Sequence, residues 1–244
     1  MRDAVGIIGG IGPMATVYFM DMIIEMTDAS RDQDHINMLV SNHATIPDRT
    51  DYIMGRSDES PLDVMVEDAR MLAKSGCSFL LIPCNTAHYF YKEIERCAGV
   101  PVLNIIVETV KFAQERMKQQ GRKLRKLGIM ATEGTVASGT YSHYAREMGI
   151  ECVAPDEEYQ VKVNHIIYDR IKAGLSVTED EMMEVIDHLR GKDCDVVVMG
   201  CTELSIAYKD LNIGAGHDDV VDSLEALACA TVTGCGKKLR LEKK

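Results

Sequence analysis

Short apolar runs alternate with longer segments of helical period along most of the chain. Runs of strand length occupy residues 5–9, 36–42, 78–83, 100–103, 127–131, 150–154, 195–199 and 220–221. Between them, apolar residues recur at helix spacing. Residues 61–75 place Leu62, Met65, Val66, Ala69, Leu72 and Ala73 at i, i+3, i+4, i+7 and onward, which is the stripe of an amphipathic helix. Residues 178–189 repeat that pattern, and Thr178 with Glu181 forms a capping-box signature at the start. Strands alternating with helices predict an α/β fold built on mostly parallel sheets.

The pattern also repeats itself. The segment Val5-Gly6-Ile7-Ile8-Gly9-Gly10-Ile11-Gly12 resembles Leu127-Gly128-Ile129-Met130-Ala131-Thr132-Glu133-Gly134, with Gly6 matching Gly128 at an offset of 122. Two cysteines follow matched apolar runs: Pro83-Cys84-Asn85-Thr86 and Gly200-Cys201-Thr202-Glu203, at an offset of 117. Two features in the same order at nearly the same offset predict two similar, pseudo-two-fold related α/β halves. The charged run 118–126 is the candidate linker. The expected domains are residues 1–117 plus 212–244, carrying Cys84, and residues 118–211, carrying Cys201. The strand at 220–221 and the helix after it are expected to return to the first domain.

Composition narrows the function. A chain of 244 residues can bury a substantial core. A net charge of −11 argues against a nucleic-acid partner. The one basic run, 237–244, reads as a solvated terminal helix or tail. Residues 1–4 lead directly into a strand and a glycine turn, unlike a signal peptide, and no apolar stretch approaches a membrane span. A cytosolic (cytoplasmic) protein without a membrane partner is expected. The eight cysteines form no CxxC pair, which disfavours a zinc ribbon or a thioredoxin-type site. In a reducing cytosol they are expected as free thiols, most of them buried as small apolar residues.

Two motifs carry candidate chemistry. Gly10-Ile11-Gly12-Pro13-Met14-Ala15 matches the dinucleotide fingerprint in form, with Glu25, Asp28 and Asp32 following. Pro13 removes a backbone N–H from any anion site there, so a tight strand-to-helix turn is the stronger expectation. The cysteines sit where parallel strands deliver side chains to a ligand crevice, and a following helix N-terminus favours the thiolate. Three chemistries compete. One cysteine as nucleophile, with His88 or His43 as base, leaves the second unexplained. Metal binding by Cys84, His88 and Cys201 matches no common ligand spacing. Two-base proton transfer, with one thiolate removing a proton from carbon and the facing thiol returning one to the other side, uses both. Structural thiols remain the alternative to all three.

These motifs, together with Ile46-Pro47-Asp48-Arg49-Thr50, Ala131-Thr132-Glu133-Gly134-Thr135 and the stretch 155–174 with Lys162, resemble the aspartate/glutamate racemase family over nearly the whole chain. The similarity is greater to its aspartate racemase branch and broad-specificity relatives than to the glutamate racemases of cell-wall synthesis. The resemblance implies two α/β domains with the active site in the cleft between them, no cofactor and no metal, an amino-acid substrate and a homodimer. It implies Cys84 and Cys201 as the acid/base pair. It further implies that Asn85, Thr86, Thr132 and Thr202 hold the α-carboxylate or amino group, that Arg49 and Lys162 face the substrate, and that Met14 lines the pocket. A related cysteine-dependent isomerase or decarboxylase, a dinucleotide-dependent oxidoreductase and a non-catalytic amino-acid-binding protein are the alternatives.

Overall fold

Each apolar run forms a strand within two residues of its expected bounds, in a computed structural model that describes residues 4–240. The first half runs β1 (Ala4–Gly9), α1 (Pro13–Met26), β2 (Asn37–Asn42), α2 (Arg49–Ile53), α3 (Leu62–Lys74) and β3 (Cys77–Leu81). A 3-10 turn, Thr86–Phe90, then leads into α4 (Tyr91–Ala98), β4 (Val102–Leu103) and α5 (Ile105–Gln119). The second half runs β5 (Lys126–Met130), α6 (Glu133–Ser138), α7 (Thr140–Glu147), β6 (Glu151–Val153) and α8 (Glu157–Asn164). A π-helical segment, His165–Ile171, follows, then α9 (Glu179–Gly191), β7 (Val196–Met199), α10 (Thr202–Asp210), β8 (Val220–Asp222) and α11 (Ser223–Gly234). Thr178 caps α9 in the expected capping box with Glu181.

The strands form two four-stranded sheets, ordered β2-β1-β3-β4 and β6-β5-β7-β8, with every pairing parallel. The second sheet repeats the order of the first, strand for strand. One expectation fails here: the strand at 220–221 does not return to the first domain. Val220–Asp222 pairs with β7 and completes the second sheet, as β4 completes the first. A three-residue strand after a polar stretch gives little signal in sequence, but its apolar residues cover an otherwise open sheet edge. The helix after it does reach across, for α11 packs on both α5 and α1. Ile106, Val110, Ala113 and Met117 of α5 share one buried core with Leu224, Leu227, Ala228 and Val232 of α11. Each of these Ile, Val, Leu and Met side chains contributes about 1.5–3 kcal/mol when fully buried, so this core joins the halves firmly. The basic tail is no helix up to residue 240: Leu239 bridges antiparallel to Thr27, and residues 241–244 lie outside the described residues.

The glycine turn after β1 is structural. Gly10 has φ +85°, and a Cβ there would lie 2.4 Å from the His43 backbone. Its N–H donates to Thr16 Oγ1 at 2.9 Å, which takes that donor away from any phosphate. We expect Gly10→Ala to cost more than about 3 kcal/mol, combining left-handed strain with a backbone clash. A denaturant melt checks this. Among the described residues no helix is long and apolar enough to cross a membrane, and no group of three or more His, Cys, Asp or Glu side chains is placed to hold a metal ion.

Candidate active site

The two central strands, β3 and β7, end at corresponding places, and each is followed within three residues by one of the matched cysteines. Cys84 and Cys201, both buried, line one pocket. Its other walls come from both halves: Asp48, Arg49, Thr50, Asn85 and Thr86 from the first, and Thr132, Tyr168, Lys172, Thr202 and Glu203 from the second. The pocket is narrow, about 300 Å3 including its open mouth.

The Cys84 turn is fixed by His88. Backbone N–H groups only donate and carbonyls only accept, so the two bonds assign the tautomer. His88 Nδ1–H donates to Cys84 O at 2.9 Å, and Nε2 accepts from Ile105 N–H at 3.1 Å. Burial pushes the imidazole down to about 4. With both nitrogens engaged and the ring neutral, His88 is no base for Cys84. It also makes stability depend on pH. A histidine depressed from 6.5 to about 4 contributes fully above pH 6.5 and loses that contribution as pH falls through about 4. The total is about 3 kcal/mol. Buried Asp222, pushed up to about 7 by burial, acts in the opposite sense, because its cost to the fold falls as pH drops. The test is therefore a difference. The stability advantage of the wild type over His88→Gln should shrink by about 3 kcal/mol between pH 7 and pH 4 in denaturant melts.

Cys201 differs from the sequence expectation of a thiolate favoured by its helix. It stands at the N-cap of α10, yet its Sγ–H donates to Glu203 Oε2 at 3.0 Å. Burial, then the charge of Glu203, push this thiol well above its ordinary value, against an opposing pull from Lys172. Glu203 Oε1 in turn pairs with Lys172 Nζ at 3.4 Å. Cys201 therefore rests as a thiol, a proton donor.

The cations lie on two sides. Arg49 begins α2, capped by Asp48, and its Nη1 donates to Pro47 O at 3.1 Å. Its buried Nε has no partner among the described residues. Burial works against the Arg49 charge, but interactions with the Cys84 side chain and with Asp48 outweigh it and raise the guanidinium above its ordinary value. Lys172 likewise keeps its proton: burial opposes the charge, and the neighbouring Glu203 carboxylate more than offsets it. It is the lysine that the sequence did not single out. The π-helical segment delivers it, with Lys172 N–H bonding to Ile167 O five residues back. The wider turn brings both Tyr168 and Lys172 to the pocket wall. Lys162 is not in the pocket. It lies on α8, bonded to Glu184 at 2.7 Å and over the Tyr159 ring. Met14 is 70% exposed at the start of α1 and lines nothing here; the glycine turn meets the site through Gly12, beside Glu203 Oε1.

The hydroxyls and the amide serve the scaffold as well as the pocket. Thr86, Thr132 and Thr135 close a ring of hydrogen bonds at 3.0, 2.8 and 3.0 Å across the two halves. Asn85 donates to Ser223 Oγ at 3.0 Å and accepts from Tyr141 at 2.7 Å. Thr202 Oγ1 reaches Glu203 only at 3.4 Å. Close contact of the halves depends on Gly134, where a Cβ would lie 2.8 Å from Thr50 Cα.

The family model for Asp/Glu/hydantoin racemases matches residues 8–231. The chain belongs to that family. It is a racemase, an isomerase, by that membership. The broad specificity amino-acid racemase RacX of Bacillus subtilis is 27% identical over 233 residues, covering 94% of this chain and 96% of that protein. The glutamate racemase of Aquifex pyrophilus is 27% identical over 177 residues, 71% of this chain and 65% of that one. Among solved structures, the Picrophilus torridus aspartate racemase superposes with a TM-score of 0.74 at 32% identity, covering 97% of this chain and 96% of that one. An aspartate racemase homologue from Pyrococcus horikoshii OT3 shares the fold, with a TM-score of 0.73 at 22% identity and 96% and 100% coverage.

Proposed function

We propose that this protein inverts the α-carbon of an amino acid, aspartate foremost, by proton transfer between Cys84 and Cys201 without a cofactor. The observation that carries this is one narrow pocket that both thiols line, each from the corresponding strand end of its half, with the buried Arg49 and the partly exposed Lys172 beside them. One thiolate takes the α-proton, and the facing thiol gives its proton to the opposite face of the flat carbanion. In the direction that starts with Cys201 protonated, Cys84 is the base and Cys201 the acid. In the reverse direction their protonation states are exchanged. Positioned donors and excluded water stabilise the enediolate-like transition state.

Arg49 supports an acidic side chain as substrate. Its unpartnered Nε, buried beside Cys84, is the kind of donor that a carboxylate satisfies, and a guanidinium can grip both oxygens. The likeness to RacX over 96% of that protein favours a second reading, a broader substrate range. Optical rotation separates the two. L-aspartate should racemise faster than L-glutamate, L-alanine or L-lysine, whereas comparable rates across the panel establish broad specificity. No loss of rotation with any of them, and no solvent deuterium at Cα, refutes both.

A further inference from the structure

Both cysteine turns are tied, directly or through one residue, to the first turn of α11. Ser223 Oγ accepts a hydrogen bond from Asn85 Nδ2 at 3.0 Å and donates to Met199 O at 2.7 Å. Asn85 is the residue after Cys84, and Met199 ends the strand that delivers Cys201. One hydroxyl therefore connects the Cys84 turn of the first half to the Cys201 strand of the second. Beside it, Asp222 accepts from Ser205 Oγ in α10, and Ser205 N–H bonds to Cys201 O at 3.2 Å. The same carboxylate caps α11, accepting from Leu224 N–H at 3.2 Å and Glu225 N–H at 3.1 Å. Asp222, Ser223, Ser205 and Asn85 are all buried, and Asp222, Ser223 and Ser205 lie outside the pocket lining.

The first half carries the matching arrangement. Asn104 caps α5 as Asp222 caps α11, at an offset of 118, and Ile105 N–H holds His88, which holds Cys84 O. His88 corresponds to Ser205 at an offset of 117, the same as that from Cys84 to Cys201. Each final helix thus secures the cysteine turn of its own half, and Ser223 adds the link between halves.

We propose that Asp222 and Ser223 are positioning residues that fix the separation of Cys84 and Cys201 across the substrate. The inference rests on the two-thiol function proposed above. Two-base inversion requires both sulfurs within reach of one carbon at the same moment, and a misplacement of about 1 Å costs on the order of 100-fold in rate. Buried hydrogen bonds suit this purpose, because breaking one leaves an unpaired polar group in a low-dielectric interior.

The test compares full-length wild type with Ser223→Ala and with Ser205→Ala, which releases Asp222 from α10 and is the milder change if Ser223→Ala fails to fold. Each is given one enantiomer of aspartate in D2O. Two quantities are followed: the rate of inversion, and the deuterium appearing in recovered starting enantiomer. Their ratio does not depend on how much enzyme is folded, so loss of stability alone leaves it unmoved. With the thiols misplaced, the carbanion waits for its second proton, and the first thiol exchanges with solvent and returns deuterium to the same face. We expect the ratio of retained-face label to inversion to rise about 10-fold or more, kcat to fall by a similar factor and KM to stay within about two-fold. Ser223→Thr, which keeps the hydroxyl, should restore the wild-type ratio. A wild-type ratio in both Ser223→Ala and Ser205→Ala overturns the inference, however far total activity falls. Failure of the two-thiol function itself would be seen separately, as absence of inversion and label in the wild type.

Discussion

Cys84→Ala and Cys201→Ala each lower racemisation by about 100- to 10,000-fold in both directions, the range supplied by a positioned acid or base. The double variant loses little beyond either single one, because the two groups act as a unit. The structure gives the reason for the symmetry of the loss. Both thiols are buried in the same narrow pocket, and each direction of the reaction needs one as base and the other as acid. It also predicts a difference between them. Cys201 rests protonated on Glu203, so its removal takes away the acid while Cys84 remains to abstract a proton. Cys201→Ala should therefore still exchange the α-proton of one enantiomer with solvent while failing to invert it. Initial rates of inversion and exchange, measured for both enantiomers, check this. Full activity in either single variant removes the two-base account.

The second large effect belongs to the cations. Arg49→Leu and Lys172→Met should each cost about 2–5 kcal/mol in transition-state binding of aspartate, on the order of 30- to 5,000-fold in kcat/KM, because the first removes a buried guanidinium from the pocket wall and the second leaves buried Glu203 without its cation. The Arg49 loss should be smaller for alanine, which has no side-chain carboxylate. Lys162→Ala should leave kcat/KM within about two-fold, since that side chain sits on the outer surface of α8 against Glu184. Equal losses for Lys162→Ala and Lys172→Met would contradict the assignment of Lys172, and not Lys162, to the pocket wall.

The two lysines show what the sequence carried and what it did not. The strands were legible because their apolar runs are short and bounded, and the duplication because Gly6 and Gly128, and Cys84 and Cys201, recur at close offsets. The cysteines were legible for the same reason, each following a buried strand. Arg49 was marked by its motif. Lys172 lay ten residues beyond the lysine that the motif suggested, and its aim depends on a π-helical turn that no hydrophobic period reveals. Burial of the Cys201 thiol against Glu203 reverses what its helix position alone predicts, because desolvation and a neighbouring carboxylate outweigh the helix field. The placement of β8 was missed because three residues are too few to show which sheet they join. Asp222 and Asn104 carried a further trace of the duplication, a polar cap following each fourth strand, visible only once both strands were placed.

Racemisation of L-aspartate and of D-aspartate in D2O, followed by chiral separation and mass analysis at early times, tests the two-base account most directly. A thiol holds one proton and returns it to the face from which it came, while the facing thiol delivers deuterium from solvent. The account predicts one deuterium in every molecule of product and almost none in recovered starting enantiomer, in both directions. Product that keeps its original hydrogen would mean that a single group serves both faces and would contradict it.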